Sequence, residues 1–281
     1  MLHVRQQRLL YGLEASVDHT QFHNFTRTLE TTLNADERVL ALVAIGSLAQ
    51  SEHIDQWSDH DFWVITTTAA QTDFLSDLSW LPNHTAIALA LRPAQEYYTI
   101  LYTTGHIAEF AVFGPHDLSR GRLTYYRILF DKQDITTRIQ AITTQVQQEQ
   151  QNGYNASATF GHFLVTLCTG VGRAARGESL SAYTYIFQYA VDALLTLITH
   201  HVPAQRHELS DSFDPRRRFE RGYPDLNTTL VRLLPLSPAV AARHLLDLAE
   251  RLFANGTLAI DLQALATTRA YLETVEQEQA Q

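Results

Sequence analysis

The chain has 281 residues and is 45% hydrophobic, enough for two modest domains with cores of their own. Its 21 basic and 30 acidic side chains leave a net charge of −9, which argues against a broad nucleic-acid surface; its single cysteine, Cys168, excludes a disulfide within the chain. No run of about 18 uncharged apolar residues suggests a membrane span, and residues 1–10 lack the apolar centre of a signal peptide, so the cytoplasm is the expected location.

In chain order, helices are expected over 1–17 and 19–34, the second capped by Asp18. Residues 39–45 (VLALVAI) form a continuous apolar run, the pattern of a strand buried on both faces. It stops at Gly46-Ser47. A second such strand is expected over 61–66 (DFWVIT) and a short helix over 74–81. Strands follow over 85–91, 96–102, 106–113 and 123–130, with Thr103-Thr104-Gly105 turning the second of these into the third. Beyond Lys132, the only lysine, the pattern becomes helical. Residues 134–150 carry apolar positions at helical spacing, Phe160, Phe163, Leu164, Leu167 and Val171 form one stripe, and Ser237-Pro238 opens a helix with Leu245, Leu248, Ala249 and Leu252 on one face. Cys168 lies in an apolar run and is expected to be a buried thiol.

The chemistry is expected in the segment 44–65, AIGSLAQSEHIDQWSDHDFWVI. One buried strand delivers Gly46-Ser47, eleven residues intervene, and Asp59-His60-Asp61 leads into another. Glycine lets the backbone turn sharply and approach a ligand. Ser47 would open a short helix whose free N–H groups favour phosphate oxygens. Residues i and i+2 of a strand point the same way, so Asp59 and Asp61 present their carboxylates to one spot while His60 and Phe62 point to the other side. Two neighbouring carboxylates call for a cation, and hard, oxygen-seeking Mg²⁺ suits them.

Buried strand, Gly-Ser, spacer, Asp-x-Asp, buried strand: this order resembles the signature of the DNA polymerase beta-type nucleotidyltransferase superfamily. The resemblance implies that Gly46 and Ser47 hold nucleotide phosphates and that Asp59 and Asp61 bind Mg²⁺, two ions in all. It also implies a third carboxylate on a later strand. Glu109, inside the apolar run HIAEFAVFG, is the best match, because an acid buried there is costly unless paired or metal-bound; Glu96 and Asp117 are rivals. Whether the third acid is metal ligand or base stays open. YRILFDKQDITTRI resembles the end of the catalytic domain in antibiotic-modifying members. GRAARGE and FDPRRRFERGYPDL resemble the helical second domain of aminoglycoside and lincosamide nucleotidyltransferases. Arg173 and Arg176, three apart on one helix face, are candidates to meet the triphosphate, and Ser58 to touch phosphate. The lysine that often assists the nucleotide in this family has no obvious equivalent.

The expectation is therefore an α+β chain. Residues 1–133 form a nucleotidyltransferase domain with a mixed sheet and flanking helices, and residues 134–281 an all-α bundle that binds the acceptor, the active site lying in a cleft between them. The implied reaction is Mg²⁺-dependent transfer of a nucleoside monophosphate, AMP from ATP or another triphosphate, to a hydroxyl of a small acceptor such as an aminoglycoside or related antibiotic. No nucleic acid or membrane partner is expected, and the protein is a monomer or homodimer. Two alternatives keep the fold: a protein-directed adenylyltransferase of the toxin–antitoxin type, and an inactive nucleotide-binding relative.

Overall fold

The computed structural model describes residues 19–50, 54–205, 214–254, 256 and 258–279. The expected helix over 1–17 and its neighbour's cap, Asp18, lie outside them. The chain forms two compact units, one ending at Asn152 and the other beginning at Gly153.

In the first unit, helix α1 (His19–Ala35) sets Phe22, Phe25, Leu29 and Leu33 on one stripe, all buried. Each such side chain contributes about 1.5–3 kcal/mol when removed from water. Strand β1 (Val39–Ile45), the one-turn helix α2 (Gly46–Ala49) and strand β2 (His60–Thr66) follow. Then come helix α3 (Gln71–Ser76) and strands β3 (Ile87–Leu91), β4 (Tyr97–Tyr102), β5 (Ile107–Phe113) and β6 (Tyr126–Asp131). The six strands form one sheet in the order β3-β4-β5-β2-β1-β6. Only β2 and β5 pair in parallel, so the sheet is mixed, as expected.

The continuous apolar runs of β1 and β2 follow from their central place, because each face of the sheet has a core. Leu42, Ala44, Phe62, Val64, Phe110 and Val112 face α1 and α3. Val43, Trp63, Ile65, Ala111 and Phe113 face Leu118, Leu123 and helix α4 (Ile135–Gly153).

Two expectations shift. Helix α3 begins and ends earlier than 74–81, because the Asp77 carboxylate accepts from the Ser79 N–H (2.9 Å) and hydroxyl (2.8 Å), a local turn that competes with the helix. Helix α4, expected to open the second domain after residue 133, sends Ile135 and Ile139 into the core of the first unit. Asp131 fixes its start, accepting from the backbone N–H groups of Ile135 (3.0 Å) and Thr136 (2.9 Å).

The regular elements among the second unit's described residues are all helices: α5 (Ala156–Ala175), α6 (Ser179–Tyr183), a π-helical stretch (Thr184–Ala190) running into α7 (Val191–His201), α8 (Phe219–Gly222), α9 (Pro224–Val231), α10 (Pro238–Phe253) and α11 (Leu262–Gln279). The α5 stripe Phe160, Phe163, Leu164, Leu167 and Val171 packs with Leu194 and Ile198 of α7 and with Leu245, Leu248 and Ala249 of α10. Ser237 caps α10 ahead of Pro238, as the sequence predicts. Cys168, expected buried, is half-buried, and that partial burial raises its thiol pKa. Among the described residues no helix is long and apolar enough to cross a membrane.

Candidate active site

Strand β1 ends at Ile45 and the chain turns at once: Gly46 has φ +55°, a left-handed conformation that glycine adopts without strain. A second constraint acts at the same position. A Cβ on Gly46 would overlap the Asp61 carboxylate, with the Asp61 Cγ only 3.3 Å away. The Gly-Ser bend and the second aspartate, fifteen residues apart in sequence, therefore share one small volume. Next to the bend the Ser47 hydroxyl is buried and has no hydrogen-bond partner among the described residues. Such an oxygen is costly to leave unmet and is one that a ligand can satisfy. From β6, Arg127 donates to the Leu48 carbonyl (3.0 Å) and braces the one-turn helix.

Asp59 immediately precedes β2, and Asp61 is its second residue. In the parallel β2–β5 pairing Asp61 stands opposite Glu109, which in turn stands opposite Thr99 on β4. One carboxylate oxygen from each of Asp59, Asp61 and Glu109 lies within 4.8 Å of the others. Two unit negative charges at that separation repel by about 1 kcal/mol in bulk water and about 3 kcal/mol near a protein surface. A divalent cation would turn that repulsion into attraction, and an all-oxygen, carboxylate-rich set suits Mg²⁺ rather than a softer metal. The donor set, the close approach of Asp61 to the Gly46 bend and the unmet Ser47 hydroxyl together fit a hard metal carrying phosphate.

Glu109 occupies the expected place for a different reason. It is exposed, not buried. Along β5, Ala108, Phe110 and Val112 turn into one core while Glu109 sits on the opposite face, where Thr99 donates to it (3.0 Å). The rivals are engaged elsewhere: Glu96 forms an ion pair with Arg120, and Asp117 lies 3.8 Å from the same guanidinium. On the β4–β5 side of the acids a cavity of about 380 Å³ opens between Pro93, Ala94, Tyr97, Thr99 and Trp63, with Asp61 and Glu109 in its wall. Partial burial there raises the Tyr97 phenol above its ordinary pKa.

Behind the acids lies a feature that sequence reading missed. His60, between the two aspartates, is fully buried. Its Nδ1 is 2.7 Å from His106 Nε2 and its Nε2 is 2.9 Å from the Thr26 hydroxyl. The ring stacks on Phe22 with centroids 3.8 Å apart, and Phe25 tilts against it at 4.4 Å. Thr26 has one proton, which it donates to the Phe22 carbonyl (3.2 Å). It therefore accepts from His60 Nε2–H, leaving His60 Nδ1 to accept from His106 Nε2–H. Burial keeps both rings neutral: His60 falls well below its ordinary pKa, helped by the neighbouring His106, and His106 falls to about 4. The available signal was a histidine one residue from each of two acids, on the strand's opposite face.

The remaining candidates have local partners. The Ser58 hydroxyl is engaged in a loop turn, accepting from the Asp55 N–H at 2.9 Å. Arg173 and Arg176 belong to the second unit, where both hold Glu178, Arg176 at 2.8 Å. Arg176 first and Arg173 second lower the Glu178 carboxyl to about 2.

No protein-family model matches the sequence, and no curated protein matches it. Solved structures do. The chain is similar to a nucleotidyltransferase-like protein from Exiguobacterium sibiricum, at 17% identity over 90% of this chain and 75% of that one, with a TM-score of 0.35. It is similar to an aminoglycoside 6-adenyltransferase from Bacillus subtilis, at 14% identity over 90% and 97% of the two chains and a TM-score of 0.36. A third is a STING-associated CdnE c-di-GMP synthase from Capnocytophaga granulosa, at 12% identity over 90% and 78%, with a TM-score of 0.28.

Proposed function

We propose that the protein is a Mg²⁺-dependent nucleotidyltransferase that moves a nucleoside monophosphate, AMP from ATP, onto a hydroxyl of a small acceptor such as an aminoglycoside or related antibiotic. The observation that carries this reading is the shared volume of Gly46 and Asp61. The bend cannot bear a side chain, because the carboxylate of the Asp-x-Asp pair stands against it. A phosphate-holding bend and a cation-holding pair of acids in direct contact suit a metal-bound triphosphate.

Asp59, Asp61 and Glu109 are the residues that would hold Mg²⁺, which when bound neutralises phosphate charge and supports displacement at phosphorus. The absent Gly46 side chain lets the Asp61 carboxylate stand against the bend, and the Ser47 hydroxyl, with no partner among the described residues, can donate to a phosphate oxygen. The acceptor hydroxyl attacks the α-phosphorus, a new O–P bond forms, the α–β bridge breaks, and pyrophosphate leaves with that electron pair. In this reading Glu109, at the rim of the cavity beside Thr99, takes the hydroxyl proton. Positioning and charge complementarity supply the acceleration.

The test is a thermal-shift panel of nucleotides with and without Mg²⁺, followed by a pyrophosphate-release screen over aminoglycosides, lincosamides and related alcohols. A Mg²⁺-dependent shift with at least one triphosphate is expected. No shift with any triphosphate, and no release with any acceptor, would overturn the reading.

A further inference from the structure

We propose that the His60–His106 hydrogen bond is a clamp that sets the spacing of Asp59, Asp61 and Glu109 from the far face of the sheet. The inference rests on the reading of those three acids as a cation site. His60 opens β2 with an aspartate on either side, and His106 immediately precedes β5, three residues before Glu109. Their ring nitrogens, 2.7 Å apart, join the beginnings of the two strands that carry Asp61 and Glu109, with Asp59 just ahead of the first. These are the sheet's parallel pair, in register at His60–Ala108 and Asp61–Glu109.

The clamp is itself anchored. Thr26 on α1 takes the other His60 nitrogen at 2.9 Å, and Phe22 and Phe25 hold the ring in place. With both nitrogens committed, His60 has one tautomer and one orientation, which fixes the path of the backbone through Asp59 and Asp61. Carboxylates on the front face push the strand ends apart, and the imidazole bridge on the back holds them together. His60 and His106 are buried behind the sheet and act on the carboxylates only through the strands, so they are positioning residues.

The probe is Mn²⁺, titrated into the full chain and followed by electron paramagnetic resonance, with circular dichroism and melting recorded alongside. His106→Phe keeps a ring against Phe25 and Tyr102 but removes the donor. It is expected to weaken Mn²⁺ binding about tenfold in a folded chain, the size of effect that removing a partner of a metal ligand brings. His106→Gln places an amide N–H near the position of the imidazole Nε2–H and is expected to restore binding to within about threefold of wild type. Wild-type affinity in His106→Phe, or equal weakening in both variants, overturns the clamp.

Should His106→Phe fail to fold, Thr26→Val against Thr26→Ser asks the same question at the other anchor. Weaker Mn²⁺ binding with valine and recovery with serine support the clamp, and no difference overturns it. A wild-type chain that binds no Mn²⁺ ends the cation-site reading and the clamp with it. Wild-type binding with indifferent variants ends the clamp alone.

Discussion

Both units pair acidic side chains with arginines, but among the described residues the first also gathers three acids against one another. In the second, Glu178 meets Arg173 and Arg176, Asp192 meets Arg216, Glu276 meets Arg243, and Asp247 and Glu250 share Arg269. In the first, Asp36 meets Arg38, Glu149 meets Arg122 and Glu96 meets Arg120, while Asp59, Asp61 and Glu109 gather with one another. Exposed ion pairs stabilise little, typically about 0–1 kcal/mol, and their loss is easily tolerated. Like charges gathered on neighbouring strands repel one another, which works against folding. The difference separates acids that the fold uses from acids that the fold carries at a cost, and the second kind marks the candidate site.

The sharpest way to break that contrast is Asp61→Asn. Removing one of three clustered charges relieves repulsion, so the thermal midpoint should hold or rise slightly, while transfer falls by about 10³-fold or more, as when a principal charge-stabilising group is lost. Pyrophosphate release and melting on the same preparation measure both. A stability loss with activity retained would make Asp61 an ordinary structural acid and dissolve the comparison.

Gly46→Ala tests the contact between the bend and the acid. The new Cβ meets the Asp61 carboxylate, and φ +55° is unfavourable for alanine. A destabilisation of about 1–2 kcal/mol is expected from the backbone alone. Displacing Asp61 should add a rate loss of about 10². Melting separates the first effect, and the rate at saturating Mg²⁺ the second.

How far the sequence carried the reading depends on the range of each signal. The VLALVAI run and the Gly-Ser to Asp-x-Asp order are local patterns, and the structure places Gly46, Ser47, Asp59 and Asp61 together at the ends of β1 and β2. Glu109 was singled out as a buried acid yet is exposed. Its strand alternates, and an apolar composition does not reveal which alternate positions face a core. The His60–His106 bond spans 46 positions and leaves no periodic trace. Asp131-Lys132, in the stretch that resembles the end of a catalytic domain, also has local work. Asp131 caps α4, and the Lys132 ammonium donates to the Asp36 carbonyl at 2.9 Å. Short polar motifs serve caps and turns as readily as sites, and only the fold tells which.

The front and back of β2 should also differ in their response to pH. His106 is neutral and buried with its pKa lowered to about 4, against an ordinary value of 6.5. Above pH 6.5 neither the folded nor the unfolded chain protonates it. As pH falls below 6.5 the unfolded chain binds the proton first, so stability declines progressively towards pH 4 and this contribution levels off below that. His60, lowered in the same direction, adds to the decline. Melting temperatures between pH 7.5 and 4 should fall for wild type, and the slope should be shallower in His106→Gln. An unchanged slope would show that other groups govern the acid limb.

The smallest effect is expected in the second unit. Arg173 and Arg176 both engage Glu178, at side-chain exposures of 38% and 57%. A guanidinium already matched to a carboxylate must give up that partner before it can take a phosphate. Arg176→Ala should therefore change the KM for nucleotide by less than about threefold and leave kcat alone, since losing an exposed pair removes little. Glu178 still has Arg173, so its carboxyl should rise only part of the way from about 2 towards its ordinary range, observable by carbon-detected NMR titration. A KM increase of about tenfold, the scale of one charge-assisted phosphate contact, would place Arg176 on the triphosphate and show that Glu178 holds it ready for that use.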